Sequence, residues 1–376
     1  MKIINISPLW FHKGDGITEV VINHHVNFIK HKVDSLLLQT NVKLSSKKEI
    51  LNQALYNKSR VGINEATSLY LFFREIYKNR NEKFIVHGLF QLKIICSLLF
   101  LSLLNCKFIV IPHSSLSCAA FEKSGKIKYL LYNFLLKYIL RRAIKVVYLN
   151  SEEKKNSTYK NSNSTIVPNG VDVESVCLKN KLTNKSGTVN FCFLGRYDIQ
   201  HKGLDRLISL FEALESKYDI DWTLNLYGSD AKGDRPILEN LVNKSIAKSK
   251  IKFNDAVFDS DKWSVLESAD IFVLTSRYEG MPIAVLEAIS LGKMCLLSPE
   301  TNMLTQLKKK GLCIEYKPND LDSTCDELLE YIHLSFDTKK RLSETTVSYA
   351  RENYSWSEIV LKIIKELNDS DEILLH

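Results

Sequence analysis

Short apolar segments of strand length alternate with longer amphipathic segments along the whole chain. In the first half the apolar segments are Lys2–Pro8, Ser35–Gln39, Lys83–His87, Lys107–Pro112 and Lys145–Asn150. In the second half they are Thr188–Gly195, Trp222–Tyr227, Ile251–Phe253, Asp270–Thr275 and Lys293–Ser298. Helical periodicity appears between them, as in Leu204–Lys217, Pro236–Lys248 and Pro282–Leu291. This alternation predicts an α/β fold made of two doubly wound, Rossmann-like domains.

The βαβ rhythm is interrupted once, by the polar stretch Cys177–Thr188 (CLKNKLTNKSGT). A chain of 376 residues is too long for one ordinary core, so this stretch is a natural domain boundary. We predict an N-terminal domain over residues 1–176, a C-terminal domain over 177–355 and a terminal helix over 356–376. Ligands of such sheets bind at the carboxyl ends of the strands, so a cleft between the two domains is expected there.

Composition is close to that of ordinary globular proteins, with 45% apolar and 25% charged residues. The eight cysteines form no C-x-x-C pair and no zinc-type spacing with histidine, which favours a reducing compartment and argues against a disulfide scaffold. The first residues, MKIINISPLW, do not resemble a secretory signal. The longest apolar run, at residues 94–104, is about half the length that a transmembrane helix requires.

Charge is divided unevenly along the chain. Residues 1–175 contain 25 Lys+Arg against 12 Asp+Glu, whereas the remainder has a net charge of −5. A basic first half is compatible with nucleic acid, an anionic membrane surface or an anionic substrate, and equally with a lysine-rich solvated surface.

The most informative segment is TSRYEGMPIAVLEA at residues 275–288, which follows a predicted strand. Pro282 suits the first position of a helix, so Glu279 is predicted in the loop beside that helix's N-terminus. Glu279, and Glu287 on the helix, are candidates for binding the hydroxyls of a sugar or ribose. The alternative is that Glu279 caps the helix and Glu287 is a surface charge.

A second segment, FCFLGRYDIQHKGLD at residues 191–205, places Arg196 and Lys202 in one loop between a strand and a helix. An arginine fork and a lysine ammonium together suit a diphosphate. A solvated loop is the alternative.

The first half offers weaker signals. The loop HKGDGIT at residues 12–18 follows the first strand, and Gly16 would allow the backbone to approach a ligand closely, although the two glycines by themselves favour a plain turn. His113 directly follows a predicted strand and would face the expected cleft, a placement that the other eight histidines lack. A structural role for His113 is the alternative.

Together these residues resemble the family 4 retaining glycosyltransferases, nucleotide-sugar-dependent enzymes of the GT-B fold. The resemblance is carried by the glutamates of residues 279–288, by GR and KGL within residues 195–204, and by PNGVD at residues 168–172. It implies that Arg196 and Lys202 bind the donor diphosphate. It further implies that Glu279, with Gly280, Met281 and Pro282 around it, binds the transferred sugar.

By the same resemblance Glu287 would bind the ribose, and residues 254–258 would border the base. Gly16 and His113 match the glycine loop and the cleft histidine on the side of the donor sugar and acceptor. The segment Tyr354–Trp356 and the helix after it match a terminal helix that returns to the first domain.

Two departures weaken parts of this comparison. The first loop has Gly14-Asp15-Gly16 instead of adjacent glycines, and SPETN at residues 298–302 lacks the glycine often found near the donor phosphate. The resemblance implies no bound metal and no cofactor besides the nucleotide-sugar substrate, with UDP-sugars favoured over GDP-sugars. Asp219-Ile220-Asp221 resembles a metal-binding Asp-x-Asp but precedes a strand, and we predict a surface turn there.

The acceptor is expected to be a glycan, carried on a lipid diphosphate in bacterial surface-polysaccharide synthesis. Residues 123–145 (KSGKIKYLLYNFLLKYILRRAIK) mix bulky apolar and basic side chains, as in helices that bind anionic membranes. A core helix with a basic exposed side is the alternative. We therefore expect a cytoplasmic protein that associates peripherally with the inner face of the membrane. A GT-B epimerase or hydrolase, and a nucleic-acid-binding protein, are the rival functions; we expect no nucleic acid partner.

Overall fold

A computed structural model of the protein describes residues 1–9, 16–40, 63–64, 69–122, 125–173 and 187–373. The chain divides into two compact units. The first contains Met1–Gly170 and Trp356–His376, and the second contains Val171–Ser355. The sequence analysis placed the boundary at residue 176; Val171 lies in the second unit because its backbone pairs with Tyr354 and Ser355. Most of the polar stretch 177–188 lies outside the described residues.

The first unit is built on a seven-stranded parallel sheet. Its strands are β1 (Lys2–Ser7), β2 (Asp34–Gln39), β3 (Ile63–Asn64), β4 (Lys83–His87), β5 (Lys107–Ile111), β6 (Lys145–Tyr148) and β7 (Ser164–Ile166). Their order is β3-β2-β1-β4-β5-β6-β7, so the chain reverses its direction of winding between β1 and β4. The helices are Gly16–Lys30, Leu69–Lys78, Leu92–Leu103, Cys118–Glu122, Gly125–Leu131, Lys137–Arg142, Ser151–Lys155 and Trp356–Ile373, with a π-helical turn at Tyr132–Leu136.

The second unit repeats this topology with six parallel strands. They are β8 (Val189–Leu194), β9 (Trp222–Tyr227), β10 (Ile251–Asn254), β11 (Ile271–Leu274), β12 (Met294–Leu297) and β13 (Cys313–Glu315). Their order is β10-β9-β8-β11-β12-β13, which places the reversal between β8 and β11. The helices are Ile199–Lys202, Leu204–Lys217, Arg235–Lys244, Asp259–Ser268, Ile283–Ser290, Leu304–Lys308, Leu321–Ile332 and Phe336–Tyr354, with a 3₁₀ turn at Pro299–Thr301.

The predicted strands are confirmed, with ends that shift by a residue or two. Strands β3, β7 and β13 were not predicted, because they have two or three residues and no long apolar run. The central strands β11 and β12 are buried at every position, as expected for strands that are covered on both faces. The α/β fold with two doubly wound parallel sheets is therefore the one that the hydrophobic pattern predicted.

The terminal helix Trp356–Ile373 belongs to the first unit. Trp356 is buried and meets the ring of His24 edge-on, with ring centroids 5.4 Å apart. A Cβ on Gly170 would lie 2.4 Å from the Trp356 indole, so the glycine of the PNGVD segment makes room for this tryptophan. Farther along the helix, Thr165 donates a hydrogen bond to Glu366 at 2.8 Å.

Within the described ranges, no helix is both long and apolar enough to cross a membrane. The apolar run at residues 94–104 forms most of the helix Leu92–Leu103, which is packed into the core of the first unit.

Candidate functional site

Two loops meet where the winding of the second sheet reverses. Strands β8 and β11 are neighbours, so the loop after β8, with Arg196 and Lys202, lies beside the loop after β11, with Glu279. The ends of β8 and β9 also approach each other closely, since a Cβ on Gly228, after β9, would lie 2.1 Å from the carbonyl oxygen of Gly195, after β8. This edge is where open α/β sheets bind their ligands.

Glu279 lies at the centre of a group of polar side chains. Its Oε1 accepts hydrogen bonds from Lys202 Nζ at 2.6 Å and from Ser276 Oγ at 2.7 Å. His201 Nε2 lies 3.7 Å from the same oxygen. The carboxylate side chain is only 10% exposed, and that of Lys202 is 14% exposed. The side chains of Lys202 and Glu279 are thus mostly buried, although each residue belongs to a loop or turn that follows a strand.

The charges around Glu279 keep it ionised. Burial by itself would raise the pKa of Glu279, but Lys202 and His201 outweigh that effect and lower the pKa from 4.5 to about 2. The site therefore holds a carboxylate that accepts hydrogen bonds at any physiological pH.

A single helical turn positions Lys202 and His201 beside Glu279. The turn Ile199–Lys202 begins at Asp198, whose Oδ1 accepts a hydrogen bond from the His201 backbone N–H at 3.0 Å. It ends at Gly203, which adopts a left-handed φ of +64°. A Cβ at Gly203 would lie 2.2 Å from the carbonyl oxygen of Thr275, so glycine is required where this turn meets the loop after β11.

A third loop holds the backbone of Glu279. The Glu279 N–H donates to the carbonyl of Glu300 at 3.0 Å, and Asn302 Nδ2 donates to the carbonyl of Glu279 at 2.5 Å. Asn302 adopts a left-handed φ of +59°, a conformation that asparagine tolerates better than most residues. Residues 298–302, which lack the expected glycine, thus support Glu279 through an asparagine.

The two loops are also joined by an ion pair. Arg277 donates two hydrogen bonds to the Asp205 carboxylate, at 2.8 and 2.6 Å, and a third to the carbonyl of Ile199 at 2.6 Å. This bidentate geometry fixes the loop after β11 against the start of the helix Leu204–Lys217.

Glu287 lies on the helix Ile283–Ser290, which begins after Pro282 with no side chain capping its N-terminus. The Glu287 side chain is buried and forms an ion pair with Lys262. Met281 is buried as well. Arg196, by contrast, is exposed, and none of the ion pairs among the described residues includes it. Its guanidinium is therefore available to an incoming anion.

The first unit carries a group of histidines at its own reversal point. His87 is the last residue of β4, and its Nδ1 lies 3.0 Å from Nε2 of His113, which follows β5. His24 packs against His87, with ring centroids 5.6 Å apart. Burial lowers the pKa of His113 to about 4 and the pKa of His24 to about 3, so both rings are neutral at pH 7. Gly16 is exposed and begins the helix Gly16–Lys30, while residues 10–15 lie outside the described part of the chain.

Metal ligands are not grouped in the described part of the structure: no set of three His, Cys, Asp or Glu side chains there has an arrangement suited to a metal ion. Asp219 and Asp221 are exposed at the amino end of β9, which is the end opposite the loops described above.

Residues 177–348, almost all of the second unit, match the family model described as Glycosyl transferases group 1. The second unit is therefore similar to the group 1 glycosyl transferases over almost all of its length.

Two curated relatives illustrate the range of similar sequences. One is the GDP-mannose:cellobiosyl-diphosphopolyprenol alpha-mannosyltransferase of Xanthomonas oryzae pv. oryzae, 24% identical over 54% of this chain and 52% of its own. The other is the UDP-Gal:alpha-D-GlcNAc-diphosphoundecaprenol alpha-1,3-galactosyltransferase of Escherichia coli, 28% identical over 53% of this chain and 54% of its own. The chain spans about half the length of the curated relatives that it matches.

Solved structures match over nearly the whole chain. A glycosyltransferase from Rickettsia africae has a TM-score of 0.74 at 14% identity and covers 98% of both chains. An Anabaena protein solved with UDP and glucose has a TM-score of 0.74 at 13% identity and covers 98% of this chain and 99% of its own. These likenesses establish the GT-B fold of this chain.

Some members of the site were not predicted. Glu279 is contacted by His201, Ser276 and Asn302, and Glu287 pairs with Lys262. His201 and Ser276 lie inside the two motifs already singled out, so their positions next to strand ends were the available signal. Nothing in the sequence indicated Lys262, because it lies outside both motifs, on the helix Asp259–Ser268.

His87 was not predicted as a site residue, although it lies at the same carboxyl edge of the first sheet as His113. His87 ends β4 and contacts His113 directly. The signal was present in the predicted strand Lys83–His87, whose last residue is a histidine at the carboxyl edge.

Proposed function

We propose that this protein is a glycosyltransferase that moves a hexose or N-acetylhexosamine from a nucleotide-sugar to a hydroxyl of a lipid-linked oligosaccharide, with retention of anomeric configuration. The similarity of the second unit to the group 1 glycosyl transferases supports transfer, and both relatives described above carry lipid-diphosphate acceptors in their names. The observation that carries the proposal is the ionised, nearly buried Glu279 beside Lys202 and the exposed Arg196, at the reversal point of the second sheet.

In this proposal Arg196 and Lys202 bind the donor diphosphate, and Glu279 accepts hydrogen bonds from the hydroxyls of the transferred sugar. The segment Gly280–Pro282 leads into an uncapped helix N-terminus, whose partial positive charge favours a phosphate. Glu287 binds the ribose hydroxyls, which requires it to share its carboxylate between them and Lys262.

The transfer step needs no protein nucleophile. The diphosphate leaves while the acceptor oxygen bonds to the anomeric carbon on the same face, and the leaving phosphate oxygen takes the acceptor's proton. Arg196 and Lys202 stabilise the charge that develops on the diphosphate, so this mechanism calls for no catalytic metal. Gly16 and His113, in the first unit, are proposed to contact the donor sugar and the acceptor.

Donor choice is the least constrained part of the proposal. We favour a UDP-sugar over a GDP-sugar, but the two named relatives use one of each. A panel of UDP- and GDP-sugars, each labelled in the sugar and incubated with a bacterial lipid extract, decides between them. Label in the lipid fraction from one donor supports transfer, and NMR of the product's anomeric proton decides retention. Released or altered sugar without label in lipid would instead favour a hydrolase or epimerase.

Matched variants connect this activity to the site. Arg196 forms no ion pair within the described structure, so we expect Arg196→Ala to fold normally and to lose transfer by roughly 100- to 1,000-fold. Glu279→Gln should lose activity to a similar degree. Arg341→Ala and Glu344→Gln, at exposed positions on the helix Phe336–Tyr354, are controls that should keep wild-type rates. Equal activity of Arg196→Ala and Arg341→Ala would reject the assignment of the diphosphate site.

We further propose that the protein works in the cytoplasm at the inner face of the membrane, as required to reach a lipid-linked acceptor. The segment 123–145 folds into short helices rather than one long helix, and Lys123 lies outside the described residues. Its exposed residues form what we call the aromatic-basic stripe: Tyr129, Leu130, Phe134, Lys137, Tyr138, Arg141 and Arg142. The apolar members are 60–77% exposed, which is unusual for side chains of this size.

Vesicle flotation tests the stripe. Each basic residue near an anionic surface contributes roughly 1 kcal/mol, so binding should require anionic lipid and weaken with salt. Phe134→Ser should reduce flotation, whereas Ile237→Ser, at an exposed apolar position of the second unit, should not. Wild-type protein that stays with the unbound fraction at low salt would remove the membrane contact but leave transfer untouched.

A further inference from the structure

Three polar residues of the first unit form a hydrogen-bonded chain across neighbouring strands. Asn5 lies on β1, His87 ends β4 and His113 follows β5. Asn5 Oδ1 lies 3.4 Å from His87 Nε2, and His87 Nδ1 lies 3.0 Å from His113 Nε2. The stacked rings of His87 and His113 are 5.3 Å apart at their centroids and tilted by 19°.

The amide of Asn5 gives this chain a direction. Its Nδ2 donates to Ser35 Oγ at 3.2 Å, so the amide oxygen faces His87. An oxygen accepts only, and His87 Nε2 must therefore carry a proton. His87 Nδ1 is then left with a lone pair, which accepts a hydrogen bond from the N–H at His113 Nε2.

The imidazole rings of His87 and His113 are both neutral at pH 7. The open question for each ring is therefore which of its two nitrogens carries the proton. Burial and the neighbouring histidines lower the pKa of His87 well below 6.5, and burial lowers the pKa of His113 to about 4. A neutral imidazole has one protonated nitrogen. With the proton of His113 on Nε2, its Nδ1 is an acceptor.

The backbone of His113 is also held in an uncommon conformation. His113 and Ser114 both have positive φ, at 49° and 63°. The buried Glu153 accepts a hydrogen bond from the Ser114 N–H at 2.6 Å and another from the Leu149 N–H at 2.6 Å. The ring of His113 is therefore held by His87, and the backbone next to it is held by Glu153. Among the described residues none hydrogen-bonds His113 Nδ1, and the side chain is half-buried rather than enclosed.

We propose that Asn5 and His87 are positioning residues that hold His113 as its Nε2–H tautomer, so that Nδ1 presents a lone pair to a hydroxyl group of a bound sugar. The tautomer rests on the hydrogen bonds alone. The hydroxyl ligand rests, in addition, on the proposed transferase function.

The full-length protein, labelled uniformly with ¹⁵N, tests the tautomer directly in a long-range ¹H–¹⁵N spectrum at about pH 8. We expect His87 and His113 to show the pattern of the Nε2–H form. His25 gives an internal check, since its Nδ1 lies 2.8 Å from Ser35 Oγ and should accept the hydroxyl proton. A reversed Asn5 amide would instead place the protons of all three rings on Nδ1, and that spectrum would overturn the proposal.

A variant separates a positioning role from a merely structural one. Asn5→Leu removes the acceptor that faces His87, so the signals of His113 should shift to a mixture of tautomers. His24→Phe is the control, because His24 packs against His87 without a hydrogen bond to it and its replacement should leave the His113 tautomer unchanged. If Asn5→Leu does not fold, the wild-type spectrum still decides the matter.

Activity then tests the hydroxyl ligand. With a donor that supports transfer, Asn5→Leu should lower kcat/KM roughly tenfold, about the effect of losing one neutral hydrogen bond, while its melting temperature stays near that of His24→Phe. An unchanged kcat/KM in a variant whose tautomer has shifted would refute the ligand role of Nδ1. If no donor supports transfer, the proposed function fails, whereas the tautomer assignment stands or falls on the spectrum alone.

Discussion

The electrostatics of Glu279 predict how the stability of the protein depends on pH. The pKa of Glu279 is lowered in the folded state from 4.5 to about 2, because Lys202 and His201 outweigh the effect of burial. A carboxylate with a depressed folded pKa stabilises the protein above its unfolded pKa, and this contribution is lost as pH falls toward the folded pKa. The shift corresponds to about 3 kcal/mol at pH 7.

Replacing the carboxylate by an amide removes this contribution. Between pH 7 and about pH 3.5 the wild type should lose about 1 kcal/mol of the free energy of unfolding through Glu279, whereas Glu279→Gln loses none at this position. The stability difference between wild type and variant should therefore shrink by that amount. Lost hydrogen bonds to Lys202 and Ser276 contribute equally at both pH values and cancel in the comparison.

Urea unfolding of wild type and variant at the two pH values, followed by circular dichroism, measures this change. Glu344→Gln, at an exposed position, is the control and should stay within about 0.5 kcal/mol of wild type at both. A difference between wild type and Glu279→Gln that is the same at pH 7 and pH 3.5 would refute the ion-pair account of the site.

Three further outcomes follow from contacts in the two units. Gly203→Ala should destabilise the protein by roughly 1–3 kcal/mol, because the new methyl group would overlap the carbonyl of Thr275 and the residue has φ +64°; a melting curve close to wild type would contradict this. Arg277→Lys loses the bidentate pair with Asp205 and should lower the melting temperature, with Arg341→Lys as the exposed control. Glu153 has the opposite pH dependence to Glu279: burial raises its pKa, so the stability it contributes is present below its unfolded pKa and declines as pH rises through the folded pKa. As pH rises from 4 to 7, the free energy of unfolding of the wild type should therefore fall relative to that of Glu153→Gln, and a change in the other direction would contradict this.

The helices and strands of this protein follow from local patterns. Each element buries its own apolar face, so consecutive residues are enough to predict it. Examples are the apolar run IFVL of β11 and the helical periodicity of Leu204–Lys217. The candidate residues Arg196, Lys202 and Glu279 were also found locally, because each follows a strand that the pattern marks. Short strands such as β7 and β13 were missed, because pairing with a neighbouring strand rather than hydrophobicity defines them.

By itself the sequence determined the order of the elements, the doubly wound class and the strand ends at which polar side chains gather. Only the tertiary structure decided which of these side chains meet. The bond between Lys202 and Glu279 joins residues 77 positions apart, and the contact of His87 with His113 joins residues on different strands. The physical reason is that the order of strands in the sheet sets which loops are neighbours. That order arises from strand pairing and packing over the whole domain, so it cannot be predicted from any short segment of the sequence.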